Sequence, residues 1–356
     1  MQILSCFFIL LYCICLGRFF GAPPCQPLLR VPSTRADRGA KIYPKIAFLN
    51  GHYKIYTQAP LPFMGQKRRW NDQFKTALRN EFGDCTTFVD LFGGSGLLSH
   101  FTHTVRPDAR VIYNDFDNYT GRLEAIPATN ALLAELRTIL CNYPRNKRIV
   151  EPYRTRVLDA IARYDRAGFV DYISLSASIL FSSNYVTSLA ALRKEHLYNT
   201  VRLSDFNADG YLDGLTVTSK DYRELFAEYV SEPHVCFLID PPYLSTQALT
   251  YEGYIRGPRK SADAVGCLWR LSDYLDVLHT LNGINYFYFT SDKSSIVELC
   301  AWLDREHRLA NPFCGATRIE QTTNLNYNSR YTDIMLYRHI NAQNNVQPIT
   351  NHQTAA

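Results

Sequence analysis

Thr86-Thr87-Phe88-Val89-Asp90-Leu91-Phe92-Gly93-Gly94-Ser95-Gly96-Leu97-Leu98-Ser99-His100-Phe101 decides the fold of this chain. Its first six residues are largely β-branched and apolar and read as a strand; its last five read as the start of a helix. Between them, the glycines of Phe92-Gly93-Gly94-Ser95-Gly96 let the backbone approach a ligand closely, as in nucleotide-binding βαβ units. The next strand, Ala109-Arg110-Val111-Ile112-Tyr113-Asn114, ends in Asp115-Phe116-Asp117. An acidic residue roughly 20 positions after such a loop can hydrogen-bond ribose hydroxyls; a solvated cap is the lesser alternative for Asp115. No phosphate-binding lysine follows the glycines, so a nucleoside fits better than a triphosphate.

A second apolar run, Val235-Cys236-Phe237-Leu238-Ile239, reads as a buried strand, and Asp240-Pro241-Pro242-Tyr243 begins where it ends. Open α/β sheets place their ligands at the carboxyl ends of such strands. Asp240 offers carboxylate oxygens, and the prolines stiffen the turn and expose carbonyls with few competing N–H groups. Tyr243 offers a face on which a base can stack. Together these types suit holding an exocyclic amino group and its flat ring. A plain strand-ending turn is the bland alternative.

In its order of glycine loop, acidic second strand, variable middle and Asp-Pro-Pro-Tyr, the chain resembles the Dam-type (alpha-group) adenine-specific DNA methyltransferases. Pro60-Leu61-Pro62-Phe63-Met64-Gly65-Gln66-Lys67 resembles that family's opening Pro-aromatic-Gly-Gly-Lys motif. Gln66 stands where Gly or Ala is usual and Phe63 where Trp or Tyr is common. Asp221-Tyr222, after the strand Leu215-Thr216-Val217-Thr218, resembles the Gly-Asp-Phe element beside the cofactor's adenine. Tyr286 to Ser291, the helix from Ser294 to Leu303, and a hairpin from Asn324 to Tyr337 with a strand from Tyr331 match its later elements. The likeness runs from about Pro60 to Arg338.

The resemblance implies an α/β, Rossmann-like class I S-adenosylmethionine-dependent methyltransferase fold with an inserted target-recognition region. It implies S-adenosyl-L-methionine as cofactor and methylation of N6 of an adenine flipped out of double-stranded DNA. It assigns Asp240, Pro241, Pro242 and Tyr243 to catalysis. To the cofactor it assigns Phe63, Lys67, Asp90, Phe92, Gly93, Gly94, Ser95, Gly96, Asp115, Asp221 and Tyr222. Asp240 and the Pro241 carbonyl would each accept one N6–H, and Tyr243 would stack on the base. N4 methylation of cytosine or methylation of RNA adenine uses similar geometry, usually behind a Ser or Asn in place of Asp240. A non-catalytic DNA- or S-adenosylmethionine-binding module is the reading from another class.

The chain divides into an N-terminal extension (1–51), a cofactor-binding half (52–150), a helical insert (151–214), a catalytic half (215–338) and an Asn/Gln-rich tail (339–356). In the insert, Val157 to Tyr164 and Ile173 to Phe181 read as helices. Candidate DNA contacts are Arg68, Arg69, Tyr185, Arg193 and Lys194, with Arg202 and Tyr198 beside them; a solvated or packing role is the alternative for each. Tyr251 and Tyr254, in the loop Ser245 to Lys260, are candidates to close over a base.

The chain has 356 residues, 46% of them hydrophobic, enough for one large α/β core with an inserted region. The net charge of +5 conceals an asymmetry: residues 1–70 carry ten Lys/Arg against one acidic residue, and the remainder is net acidic. The ten cysteines form no CxxC pairs and the nine histidines no zinc-site spacing, so buried thiols and no metal are expected. Ile3 to Leu16 is apolar but short for a membrane span, and no positive charge precedes it. An over-extended start on a cytoplasmic enzyme without stable membrane association is therefore expected. A monomer is expected, with any restriction endonuclease a separate chain.

Overall fold

The computed structural model describes residues 41–42, 54–181, 184–243, 271–306, 311–326 and 329–340. Most of the N-terminal extension, the loop Ser245 to Lys260 and the tail from residue 341 lie outside the described residues, as does Cys267.

Eight strands form one sheet. They are β1 (Lys41–Ile42), β2 (Thr87–Asp90), β3 (Arg110–Asn114), β4 (Leu215–Thr218), β5 (Val235–Ile239), β6 (Asn285–Ser291), β7 (Thr317–Asn326) and β8 (Ser329–Arg338). Their spatial order is β1-β4-β3-β2-β5-β6-β8-β7. From β4 to β6 every pairing is parallel; β1, β7 and β8 are antiparallel additions at the edges. The edge strand β1 is drawn from the segment read as an extension. The strand order reverses between β2 and β5, which lie side by side and parallel, and the Leu91 N–H donates to the Leu238 carbonyl at 3.1 Å. This is the switch point of an open α/β sheet, the place where such sheets bind ligands beyond the strand ends.

Alternating side chains feed two cores. Phe88, Val111, Leu238 and Phe287 enter one; Val89, Ile112, Phe237 and Tyr286 enter the other. Burial on both faces explains why β2 and β5 read as continuous apolar runs. The helices are α1 (Asn71–Glu81), α2 (Leu97–Val105), α3 (Tyr119–Glu124), α4 (Ile126–Ile139), α5 (Tyr153–Ala167), α6 (Tyr172–Ile179), α7 (Leu189–Leu192), α8 (Tyr222–Tyr229), α9 (Leu271–Thr280) and α10 (Ile296–Arg305). On α1, Phe74, Ala77 and Leu78 form the buried stripe. Among the described residues no helix is long and apolar enough to cross a membrane.

Several element boundaries differ from expectation; helix α10, for one, runs Ile296–Arg305 rather than Ser294 to Leu303, because Asp292–Ser294 forms a 3-10 turn. Helix α5 extends beyond Val157 to Tyr164 at both ends and stops at Gly168. Helix α6 ends at Ile179, not Phe181, because the Ile179 carbonyl accepts the Tyr198 N–H at 2.7 Å and Leu180 turns extended. The hairpin begins at Thr317 rather than Asn324 and its second strand at Ser329 rather than Tyr331. Its first strand is a polar edge strand, with Arg318 and Glu320 paired, so apolar alternation does not mark it.

Candidate active site

The glycine turn joins β2 to α2, with Gly96 as the helix N-cap in the left-handed region at φ 74°. Gly93 has no room for a side chain: a β-carbon there would lie 2.3 Å from the Tyr113 ring. Gly94, at φ +49°, lies against Phe63, whose Cε1 would be 3.0 Å from an added β-carbon. The Tyr113 hydroxyl donates to the Gly94 carbonyl at 2.8 Å and lies 3.2 Å from Asp115 Oδ1. The turn is thus pressed between the β3 residue Tyr113 and the opening-motif residue Phe63. Ser95 is buried, and its carbonyl accepts the Tyr211 hydroxyl from the insert at 3.0 Å.

Asp90 ends β2 and is buried. Its Oδ2 accepts the Ser99 hydroxyl at 2.7 Å, while Oδ1, equally buried, accepts no hydrogen bond among the described residues. Burial pushes its carboxyl up to about 7; the Ser99 bond opposes that shift and the nearby Asp240 charge adds to it.

Asp240 stands at the end of the neighbouring β5. Its Oδ2 pairs with the Lys67 ammonium at 2.5 Å, and its buried Oδ1 accepts no hydrogen bond among the described residues. Burial raises its pKa, Lys67 works against the rise, and Asp333 on β8 adds to it. Lys67 also donates to the Gly65 carbonyl at 2.9 Å and lies 5.3 Å from the centroid of the Tyr243 ring. Pro241 is buried, and the Pro242 carbonyl accepts the Tyr274 hydroxyl of α9, which ties down the turn. The opening motif and the Asp-Pro-Pro-Tyr turn therefore meet through Lys67, which pairs with Asp240 and lies over the Tyr243 ring. Two buried carboxylate oxygens, one at the end of each switch-point strand, have no hydrogen-bond donor among the described residues. An unmet buried acceptor costs about 1–3 kcal/mol, so this arrangement is suited to a ligand that brings donors.

The remaining candidates divide. Phe92 and Tyr222 form a tilted aromatic pair at 5.2 Å, a wall at the end of the glycine turn. Asp221 caps α8 by accepting the Arg223 N–H at 2.9 Å. Asp115 is buried and serves as a cap: Oδ1 accepts the Tyr119 N–H at 2.6 Å, and Oδ2 accepts the N–H and hydroxyl of Thr120. Arg68 and Arg69 are exposed, in a 3-10 turn before α1, and the Arg69 carbonyl accepts from Gln321 of β7. Tyr185, half-buried, and Arg193 and Lys194, exposed, flank α7 on the insert.

Sequence reading missed Tyr113, Ser99 and Tyr274, which support Gly93, Asp90 and Pro242. Only the position of Ser99, one helical turn inside α2, was a usable signal. Among the described residues Asp84, Cys85 and His339 bring potential ligand atoms within 4.8 Å of one another. They lie at the opposite, amino end of the sheet. Burial pushes the Cys85 thiol up to about 12, which opposes the thiolate a metal needs.

A family model described as D12 class N6 adenine-specific DNA methyltransferase matches residues 63–268, a span that starts at Phe63 and includes both strand ends of the switch point. A proposed methyltransferase of Haemophilus influenzae is 34% identical over 301 residues, covering 80% of this chain and 93% of that protein. The switch-point sheet and these likenesses agree, and the chain belongs to the D12 class family of N6 adenine-specific DNA methyltransferases.

Proposed function

We propose that this protein transfers a methyl group from S-adenosylmethionine to N6 of an adenine flipped out of duplex DNA. The observation that carries the reading is the Oδ1 of Asp240, buried at the end of β5 beside two prolines and Tyr243 and without a hydrogen-bond donor among the described residues. An exocyclic amine supplies the missing donor, and Tyr243 supplies the stacking face its ring needs.

The residues present also fit the methyl donor. Asp90 Oδ1 is a buried acceptor that accepts no hydrogen bond among the described residues, suited to a cationic amine. Phe92 and Tyr222 form an aromatic wall suited to an adenine ring. When bound, S-adenosylmethionine supplies an electrophilic methyl group on a sulfonium. Asp240 Oδ1 and the Pro241 carbonyl then each accept one N6–H, which draws the nitrogen towards a tetrahedral geometry and frees its lone pair. The amine sheds a proton only as its new bond forms, and Asp240 receives it. The upward shift of Asp240 makes it a better acceptor for that proton than an exposed aspartate. Alignment of the reactants supplies much of the remaining acceleration.

The Lys67–Asp240 pair favours one second reading, a binding module in which Asp240 stays occupied. To separate the two, the full chain and its Asp240→Ala variant are incubated with unmethylated DNA and S-adenosylmethionine. The DNA is then digested and its nucleosides weighed by mass spectrometry. N6-methyladenine from the parent alone is the expected result. N4-methylcytosine would replace the base in this reading. Cofactor binding without any methylated nucleoside would overturn it in favour of the binding module or an RNA substrate.

A further inference from the structure

Arg122 on α3 and Asp171 at the start of α6 form a buried ion pair that the chemistry above does not use. The Arg122 Nε lies 3.2 and 3.1 Å from the two Asp171 oxygens. Its Nη2 donates to the Pro62 carbonyl at 2.8 Å and reaches the Ser174 hydroxyl at 3.4 Å. Asp171 is also the N-cap of α6, accepting from the Ile173 and Ser174 N–H groups and the Ser174 hydroxyl. One guanidinium therefore joins the insert to the backbone just before Phe63.

Tyr119, one turn earlier on α3, grips the same segment. Its hydroxyl accepts the Leu61 N–H at 3.0 Å and donates to the Leu61 carbonyl at 3.2 Å. Its ring meets Phe63 edge-on at 5.6 Å, and its own N–H is held by Asp115. Phe63 in turn lies against Gly94. We propose that Arg122, Asp171 and Tyr119 are positioning residues. They lock Leu61-Pro62-Phe63 against the glycine turn, so that the insert and α3 together set the affinity of the cofactor site.

The inference rests on the reading of that turn as the S-adenosylmethionine site. The fork geometry of arginine matters here: a lysine keeps the charge but offers its donors from one nitrogen, in place of the separate Nε and Nη2 that reach Asp171 and the Pro62 carbonyl. Cofactor affinity is measured by calorimetry on the full chain, Arg122→Lys, Tyr119→Phe and the double variant, with Tm for each. Each single variant is expected to weaken S-adenosylmethionine binding by about tenfold, the scale of one buried hydrogen bond to a charged or well-held group. The double variant is expected to lose less than the product of the two, because both act on one segment. Variants that lose Tm but bind as the parent does would overturn the proposal, since a role in stability alone predicts that result. Should Arg122→Lys fail to fold, Tyr119→Phe decides alone, because it removes a single hydroxyl. No binding by the parent would overturn the methyl-donor reading and this inference with it; equal binding by parent and variants would overturn this inference only.

Discussion

Lys67 Nζ lies 2.5 Å from Asp240 Oδ2. The ammonium belongs to the segment before α1 and the carboxylate to the end of β5, and Lys67 is buried with only a tenth of its side chain exposed. Attraction between such groups is little screened by salt. In the proposed reaction the acceptor amine enters beside this pair, so Lys67 sets the charge state of the carboxylate that receives the substrate.

Removing that cation has a predictable sign. Burial raises the Asp240 pKa and Lys67 holds it down, so Lys67→Met raises it further. Methylation needs Asp240 ionised and is lost as pH falls through its pKa. The acid limb of kcat/KM for DNA should therefore move to higher pH in Lys67→Met. A limb that stays put would mean that Asp240 is not the titrating group.

Asp90 predicts a stability effect. Its carboxyl sits near 7 in the fold against 3.8 in the unfolded chain. The folded value is the higher one, so the contribution is full below about pH 4 and is lost as pH rises through 7. In the ligand-free protein Asp90→Asn should be the more stable chain at pH 8, by a figure on the order of 4 kcal/mol at most. The advantage should shrink towards pH 4. Thermal unfolding of both chains across that range checks it; a constant difference would contradict it.

At Gly94 a side chain meets two obstacles, a φ of +49° and the Phe63 ring 3.0 Å from the new β-carbon. The left-handed conformation alone costs about 1–2 kcal/mol for an L-residue. Gly94→Ala should lower Tm by about 2–8 °C and weaken cofactor binding. Gly83→Ala, where nothing lies within 4 Å of the added carbon, is the control and should do neither.

Arg68 and Arg69 are exposed beside the β7 edge strand. If each neutralises one DNA phosphate, Arg68→Gln and Arg69→Gln should each reduce the slope of log K against log salt by about 1. Weakening should be uniform across DNA sequences. A slope unchanged in both variants would leave them as a solvated turn.

Much of the fold was legible because burial on both faces writes itself into local composition. β2 and β5 are apolar runs, and the parallel strands must be joined through helices whose periodicity differs from theirs. The glycine turn was legible for a related reason: positive φ at Gly94 and Gly96 is a local demand that only certain residues meet. β7 was not legible, since an edge strand satisfies its neighbours on one side only and tolerates Arg318, Glu320 and Gln321.

By itself, then, the sequence determined the family, the strands of the parallel core and the places where ligand-facing turns interrupt them. Those features follow from short-range rules of backbone conformation and from hydrophobic periodicity. Tertiary structure alone decided that Lys67 would pair with Asp240, that Tyr113 would fill the space beside Gly93, and that Arg122 would join Asp171 to Pro62. Each of these is a polar or aromatic side chain whose partner is distant in the chain. Its role is fixed by the need to satisfy buried charge and close packing, which arises only once the sheet has assembled.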